Sequence, residues 1–149
     1  MKILVDADSC PRPARELVLK TATRREIRAI FAANRKIPGI GSGLAEMLVC
    51  PTSEGAADNR IVELAEPGDL ALTRDIPLAA RLVEARIRVL DDRGRVYSLE
   101  NIRERLSLRN FMVDLAESGL GMERSALYGR NELRNFANAL DREITRLLR

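Results

Sequence analysis

Aspartates follow the ends of two apolar runs in this sequence. Asp6 closes the run KILVD at residues 2–6, and Asp8 comes two residues later. Asp75 stands two residues beyond a second run, DLALT at 69–73. Parallel strands end at a common sheet edge, where α/β folds bind their ligands. We therefore expect the three carboxylates to lie close together and to bind a hard divalent cation, Mg²⁺ or Mn²⁺.

A fourth acid, Asp58, lies near the start of a helix predicted over residues 56–66. Offsets of three, four and seven residues place Ile61, Val62 and Ala65 on the same side of that helix. A carboxylate on an apolar face is costly unless a partner compensates its charge. A metal ion shared with Asp6, Asp8 and Asp75 would do so.

The amino-acid composition narrows the chemistry further. The chain has no histidine, which excludes a Ser-His-Asp or Cys-His relay and leaves carboxylates holding a cation as the route to hydrolysis. Of its 25 basic residues 22 are arginine, whose planar fork matches phosphate. A net charge of only +3 weakens that signal, so composition leaves contact with nucleic acid or phosphate open.

Each acid also has a structural interpretation. Asp75 is suited to cap the helix that begins with Ile76 and Pro77, and Asp8 or Ser9 is suited to cap the first helix. Capping alone explains four acids at one edge less well than a shared site does. Other polar residues at strand or helix ends can orient ligands and water or serve as turns and caps: Asn34, Asn59 and Thr73.

A dense basic stretch follows the last predicted strand. Its arginines have two interpretations, namely a surface that binds phosphates or a solvated face paired with Glu100 and Glu104. The phosphate-binding interpretation would make Arg93, Arg103 and Arg109 substrate-binding residues, together with their neighbours Arg95 and Arg105.

Strands alternate with helices over about residues 1–97, which predicts an α/β fold with a mostly parallel sheet of about five strands, covered on both faces. The predicted strands are 2–6, 26–34, 45–50, 69–73 and 87–90. Helices occupy about residues 98–149, with a linker predicted at 119–131. An amphipathic stripe in the last helix, from Leu133 to Leu148, is expected to pack on this core.

Length and composition indicate one globular domain over residues 1–149. The chain is 46% hydrophobic and 32% charged, a balance typical of soluble proteins. No apolar run approaches the roughly 20 residues that span a bilayer, and we expect a cytoplasmic protein without membrane contact. Its two cysteines are too few for a disulfide framework and too isolated for structural zinc.

Three stretches together resemble the YaiI/YqxD family of uncharacterised bacterial proteins. They are VDADSCP (5–11), AADNRIVELAEPGDLALTRDIPLAA (56–80) and RGRVYSLENIRERLSLRNFM (93–112). That family is regarded as similar to PIN-like domains, α/β three-layer folds whose clustered acids bind Mg²⁺ or Mn²⁺ and cut RNA or sometimes DNA.

The resemblance implies a metal-dependent nuclease that acts on RNA more than on DNA. Asp6 and Asp8 would be the acids of the first strand, Asp58 the acid of the helix and Asp75 the acid after the fourth strand. Two departures stand out. Asp58 and Asn59 occupy the place where PIN domains usually carry a glutamate, and Asn110 follows Arg109 where the family favours aspartate.

Two other functions are compatible with the sequence. In a phosphatase of the haloacid-dehalogenase type, Asp6 would be the nucleophile, Asp8 the acid and Thr73 a phosphate ligand, with Asp91 and Asp92 binding Mg²⁺. That scheme also needs a later lysine or arginine for the phosphate, and no lysine follows Lys36. The other alternative is a non-catalytic module that binds RNA or protein.

Overall fold

A computed structural model of the protein describes residues 1–119 and 127–149. Strands and helices alternate through the first two thirds of the chain, and helices complete it. The strands are β1 (Lys2–Asp6), β2 (Arg28–Ala33), β3 (Ala45–Val49), β4 (Leu70–Leu72), β5 (Arg88–Leu90) and β6 (Val96–Tyr97). The helices are α1 (Arg12–Arg25), α2 (Ala56–Leu64), α3 (Ile76–Glu84), α4 (Ile102–Glu117) and α5 (Arg130–Leu147).

The strands form one sheet in the order β3-β2-β1-β4-β5-β6. Pairing is parallel from β3 to β5, and β6 pairs antiparallel with β5. The prediction of an α/β fold with a mostly parallel sheet is confirmed. The described residues contain six strands rather than five, because Val96–Tyr97 is too short to give a periodic signal.

Side chains of successive strand residues point to opposite faces of the sheet, so β1 contributes to two apolar cores. Ile3 and Val5 pack with α1 and α5 on one face, whereas Leu4 packs with α2 and α3 on the other. Helices thus cover both faces of the central strands, as predicted from the alternation of strands and helices.

The amphipathic helix α5 packs on the sheet through the predicted stripe. Its residues Phe136, Leu140 and Ile144 are buried against α1 and the sheet. The turn between β5 and β6 comes very close to this helix, since a Cβ added at Gly94 would lie 2.6 Å from the carbonyl oxygen of Asn135. Residues 120–126 of the linker predicted at 119–131 lie outside the described residues.

Helix α4 is the least buried of the described helices. Ile102 packs in the core beneath α3, whereas the side chains of Leu108, Phe111 and Met112 are largely exposed. Within the described ranges, no helix combines the length and hydrophobicity needed to traverse a lipid bilayer.

Candidate functional site

The candidate site lies where the strand order changes direction. The chain builds the sheet outward from β1 to β2 and β3, then returns to the other side of β1 with β4 and β5. The loops that follow β1 and β4 diverge at this point, which leaves a crevice at the carboxyl ends of the strands. Asp6 ends β1, and Thr73 and Asp75 follow β4.

Asp6 is buried and held by two hydroxyl groups. Its Oδ2 atom accepts a hydrogen bond of 2.7 Å from the Thr73 hydroxyl and one of 3.0 Å from the Ser9 hydroxyl. A single 3₁₀ turn, Ala7–Ser9, brings Ser9 back over the end of β1. These contacts fix the orientation of the carboxylate and stabilise its charge.

Thr73 also positions Asp75. The Asp75 backbone N–H donates to the Thr73 hydroxyl oxygen at 3.0 Å, and the Asp75 Oδ1 atom accepts from the backbone N–H of Leu78 at 3.1 Å. The predicted N-cap of α3 is therefore confirmed. Because one carboxylate oxygen caps the helix, Asp75 is held at the cleft while its second oxygen accepts no hydrogen bond from the described residues.

Asp8 joins the ends of β1 and β2. Its Oδ2 atom accepts a hydrogen bond of 2.9 Å from the backbone N–H of Asn34, directly after β2. The expectation that Asp8 or Ser9 caps the first helix is wrong, since α1 begins after Pro11 with no side-chain cap. Proline supplies the required backbone angle there, and both polar side chains turn to the site instead.

Asp58 reaches the site from α2. The loop after β3 ends at Gly55, whose φ of 77° lies in the left-handed region that glycine adopts at little cost. The helix starts directly afterwards and places Asp58 in its first turn. The Asp58 side chain is half-buried and has no hydrogen-bond partner among the described residues.

The four predicted acids line one open cleft of about 280 Å³. Its remaining walls come from Ser9, from Asn34 and from the loop and first turn of residues 51–57. Asp6, Asp8 and Asp75 each use one carboxylate oxygen for an anchoring hydrogen bond. The structure thus brings together the four acids that were expected to share a metal ion.

Burial and neighbouring negative charges raise the pKa of two acids of the cleft, Asp6 and Asp58. Burial raises the pKa of Asp6, and the charges of Asp75 and Asp8 raise it further against the opposing bonds from Thr73 and Ser9. Burial likewise raises the pKa of Asp58, followed by the charges of Asp75 and Asp6. The cleft therefore concentrates negative charge that a cation would neutralise.

The donor chemistry of the cleft suits a hard cation, because its carboxylate oxygens are the ligands that Mg²⁺ and Mn²⁺ prefer. In the ranges that the structure describes, however, no group of three or more His, Cys, Asp or Glu side chains is arranged to hold a metal ion. Binding by these residues therefore requires side-chain rearrangement.

The family model described as uncharacterized BCR, YaiI/YqxD family, matches residues 4–146. The chain belongs to the YaiI/YqxD family. This confirms the resemblance seen in the three sequence stretches, while the similarity to PIN-like domains stays a prediction.

Relatives in this family match over the full chain. A UPF0178 protein of Treponema pallidum is 50% identical over all of this chain and 84% of its own length. UPF0178 proteins of Syntrophobacter fumaroxidans and Myxococcus xanthus are 45% and 44% identical, over 98% and 100% of this chain and 95% and 97% of their own lengths. No solved structure matches the chain.

The polar residues predicted to bind substrate in this YaiI/YqxD protein have different surroundings. Asn34 is exposed and lines the cleft. Thr73 is buried and holds Asp6. Asn59 accepts a hydrogen bond of 3.0 Å from Arg81 and is not among the residues that line the cleft.

The predicted arginines lie outside the cleft lining. Arg93 pairs with Glu132 at 3.8 Å, and Arg109 donates to the side chain of Asn110 at 3.1 Å. Arg103 is exposed on α4, and Arg105 lies 4.7 Å above the Tyr97 ring. None of the described contacts pairs these arginines with Glu100 or Glu104, so their role as phosphate ligands stays a prediction.

Two features of the site were missed. Ser9 stands in the VDADSCP stretch, but only the 3₁₀ turn shows that its hydroxyl reaches Asp6. Arg74 lies between Thr73 and Asp75, and its guanidinium pairs with the buried carboxylate of Asp92, with 3.0 Å from Nε to Oδ2. Neither contact has a signal in residue spacing, because each joins segments through loop conformation.

The acids that a phosphatase would use for Mg²⁺ have structural partners. The Asp91 Oδ1 atom accepts from the backbone N–H groups of Arg93 and Arg95, at 2.9 and 2.8 Å, and so shapes the turn after β5. Asp92 is paired with Arg74. Among the described residues, both carboxylates are therefore engaged in structural contacts.

Proposed function

We propose that this YaiI/YqxD protein is a divalent-metal-dependent nuclease that acts on RNA, and that Mg²⁺ or Mn²⁺ binds in the cleft. The observation that carries the proposal is the convergence of Asp6, Asp8, Asp58 and Asp75 on one cleft at the change of strand direction. Three of these side chains are anchored through one oxygen, which leaves the other for a ligand.

In this proposal the residues of the chain have distinct tasks. Asp6 and Asp75 are held in place by Thr73 and provide oxygens with fixed positions. Asp8 is exposed and Asp58 is half-buried without a hydrogen-bond partner among the described residues, so both can adjust to complete the coordination of a cation. A bound divalent cation would activate water and neutralise charge on the scissile phosphate. Without it, four carboxylates repel a phosphate.

The proposal is tested by cleavage of single-stranded and duplex RNA and DNA with Mg²⁺, Mn²⁺ or EDTA. The test variant is Asp8→Asn, which keeps the size of the side chain and removes its charge. The matched control is Asp114→Asn, an exposed acid on α4. We expect cleavage of RNA that requires metal, is lost in Asp8→Asn and persists in Asp114→Asn.

Three outcomes would overturn the proposal. Cleavage that is unchanged in Asp8→Asn would place the activity elsewhere or in a contaminant. Nucleic-acid binding that is insensitive to EDTA, with no turnover of any substrate, would support a non-catalytic binding module. Release of phosphate from small phosphate esters without nuclease activity would support the phosphatase.

A further inference from the structure

A second and larger depression, of about 630 Å³, opens at the sheet edge formed by β3. We name it the edge groove. Its walls are the loop after β2 and the side of α2 that faces β3, and its floor is apolar. Ile30 of β2 and Leu48 of β3 lie on this floor, beside Leu64 of α2.

The edge groove continues from the acidic cleft along both of its walls. In the loop after β2, Asn34 lines the cleft and Lys36 lines the groove. On α2, Ala57 lines the cleft, and Arg60 and Leu64 line the groove at offsets of three and seven residues. These offsets place the three residues on one side of the helix.

One buried residue lies near both depressions. Cys50 follows β3, and burial raises the pKa of its thiol. The charge of Arg60 opposes that rise and the charge of Asp8 adds to it. A cation of the groove and an acid of the cleft therefore act on the same group, which indicates that they lie near each other.

The charge of the edge groove is opposite to that of the cleft. Arg28, Lys36 and Arg60 line it, with Glu46 as the acid among its lining residues. Glu46 forms a salt bridge with Arg28, whose Nη2 atom donates to both carboxylate oxygens at 3.0 and 2.8 Å. The remaining charge of the lining residues is therefore positive.

Two of these cations are available to a ligand. Lys36 has no ion-pair partner in the part of the chain that the structure describes. Arg60 pairs with Glu63 at 2.7 Å, but both side chains are exposed, and such a pair stabilises by only about 0–1 kcal/mol. Phosphate oxygens would compete for both.

We propose that the edge groove binds a single strand of nucleic acid, with phosphates on Lys36 and Arg60 and bases against the apolar floor, and leads it into the cleft. This assignment rests on the proposed nuclease function. Seven residues of α2 separate Ala57 from Leu64, a rise of about 10 Å. At about 3.4 Å per stacked nucleotide, this length accommodates about three nucleotides.

The size of the groove favours a single strand over a duplex. Its volume falls within the range of about 300–1,000 Å³ that is typical of sites for small ligands. A strand of two or three nucleotides is of that size, whereas a duplex of the same length carries twice the number of bases and a second backbone.

The test measures binding in EDTA, so that no cleavage is required. The probes are a fluorescein-labelled 12-nucleotide oligouridylate, its deoxy counterpart and a 12-base-pair RNA duplex, followed by fluorescence anisotropy. The variant is Lys36→Glu/Arg60→Glu. The matched control, Lys20→Glu/Arg130→Glu, makes the same charge change at exposed positions on α1 and α5, which pack on the other face of the sheet.

We expect the groove variant to weaken binding of the single strands at least tenfold and the control to change it less than twofold. Loss of two phosphate contacts should also reduce the slope of log K against log salt by about 1.4. Equal weakening in both variants, preference for the duplex, or no binding of any probe by the wild type would overturn the proposal.

The two proposals fail in distinguishable ways. Binding that depends on Lys36 and Arg60, without cleavage in Mg²⁺ or Mn²⁺, would contradict the nuclease function and support the edge groove as a binding site. Cleavage that is lost in Asp8→Asn but unchanged in Lys36→Glu/Arg60→Glu would support the nuclease function and contradict the role of the edge groove in substrate binding.

Discussion

The Thr73 hydroxyl donates a hydrogen bond of 2.7 Å to the Asp6 carboxylate across the gap between the ends of β4 and β1. The same hydroxyl oxygen accepts from the backbone N–H of Asp75 at 3.0 Å. The small, buried side chain of Thr73 therefore fixes the positions of two acids of the cleft relative to each other. The arrangement makes Thr73 a positioning residue for both.

Replacing Thr73 with valine should reduce metal-dependent cleavage at least tenfold and destabilise the fold. Thr73→Val keeps the shape of the side chain but leaves the buried Asp6 without its shorter hydrogen bond, a loss of about 1–3 kcal/mol. Urea unfolding measures the free energy, and initial cleavage rates measure the activity.

The control is Thr73→Ser, which keeps the hydroxyl and should retain most of the activity. A purely structural role predicts that activity follows the folded fraction. Full cleavage by folded Thr73→Val would contradict the assigned role of this hydroxyl.

Neutralising Asp58 should stabilise the protein while abolishing its activity. Burial and the neighbouring acids raise the pKa of Asp58 above its ordinary value of 3.8, so its ionisation is less favourable in the folded chain than in the unfolded one. As pH rises through the raised pKa, this group reduces the free energy of unfolding. Asp58→Asn removes that penalty.

The pH dependence of the stability gain distinguishes burial and charge repulsion at Asp58 from other causes. The gain in stability of Asp58→Asn should be present at pH 7 and vanish below pH 3.8, the ordinary value, where the carboxyl is protonated in both states. Urea unfolding from pH 3 to 7 measures it, with Asp114→Asn as the control. A gain that is independent of pH would argue against charge repulsion in the cleft.

Divalent cations should raise the thermal stability of the wild type. A ligand that binds only the folded state adds about 2.7 kcal/mol at 100 times its Kd. Mn²⁺ should therefore increase the Tm in a concentration-dependent way that EDTA reverses. The increase should be lost in Asp8→Asn and kept in Asp114→Asn. An equal increase in Asp8→Asn would place the cation outside the cleft.

The positions of the acids in the cleft could be predicted from where the apolar runs of the sequence end. An apolar run that closes on Asp6 and another followed by Asp75 locate both acids once the strands are known to be parallel. The offsets from Asp58 to Ile61 indicate the face of α2 in the same way. These are local patterns, and the structure bears them out because hydrophobic periodicity sets which side of an element is buried.

Other features depend on contacts between distant segments. The order of the strands, and with it the place of the crevice, follows from pairings such as Val5 with Leu72 that no local pattern encodes. The polar contacts of Ser9 and Arg74 depend on loop conformation. Asp8 illustrates the limit, because its spacing suits a helix cap equally well, yet it bonds to the backbone of Asn34.

The contact that holds α5 to the sheet should be sensitive to one substitution far from the cleft. Glu143 is 1% exposed, and its Oε2 atom accepts from Nε of Arg88 at 2.9 Å. Arg142 and Arg146 lie farther away, at 3.7 and 4.0 Å. Arg88→Met leaves a buried carboxylate without its nearest partner, which costs about 3 kcal/mol.

Replacing both partners should recover most of the lost free energy of unfolding, since an apolar pair of similar volume is often as stable as a buried ion pair. Arg88→Met/Glu143→Leu is therefore expected to unfold at a higher urea concentration than Arg88→Met, and Arg142→Met, at an exposed position, should cost less than 1 kcal/mol. Arg88 is the first residue of β5 and lies at the amino-terminal ends of the parallel strands, whereas the cleft lies at their carboxyl ends. The folded variants should therefore cleave at the wild-type rate. Additive losses in the double variant would show that the pair itself does not determine how α5 docks.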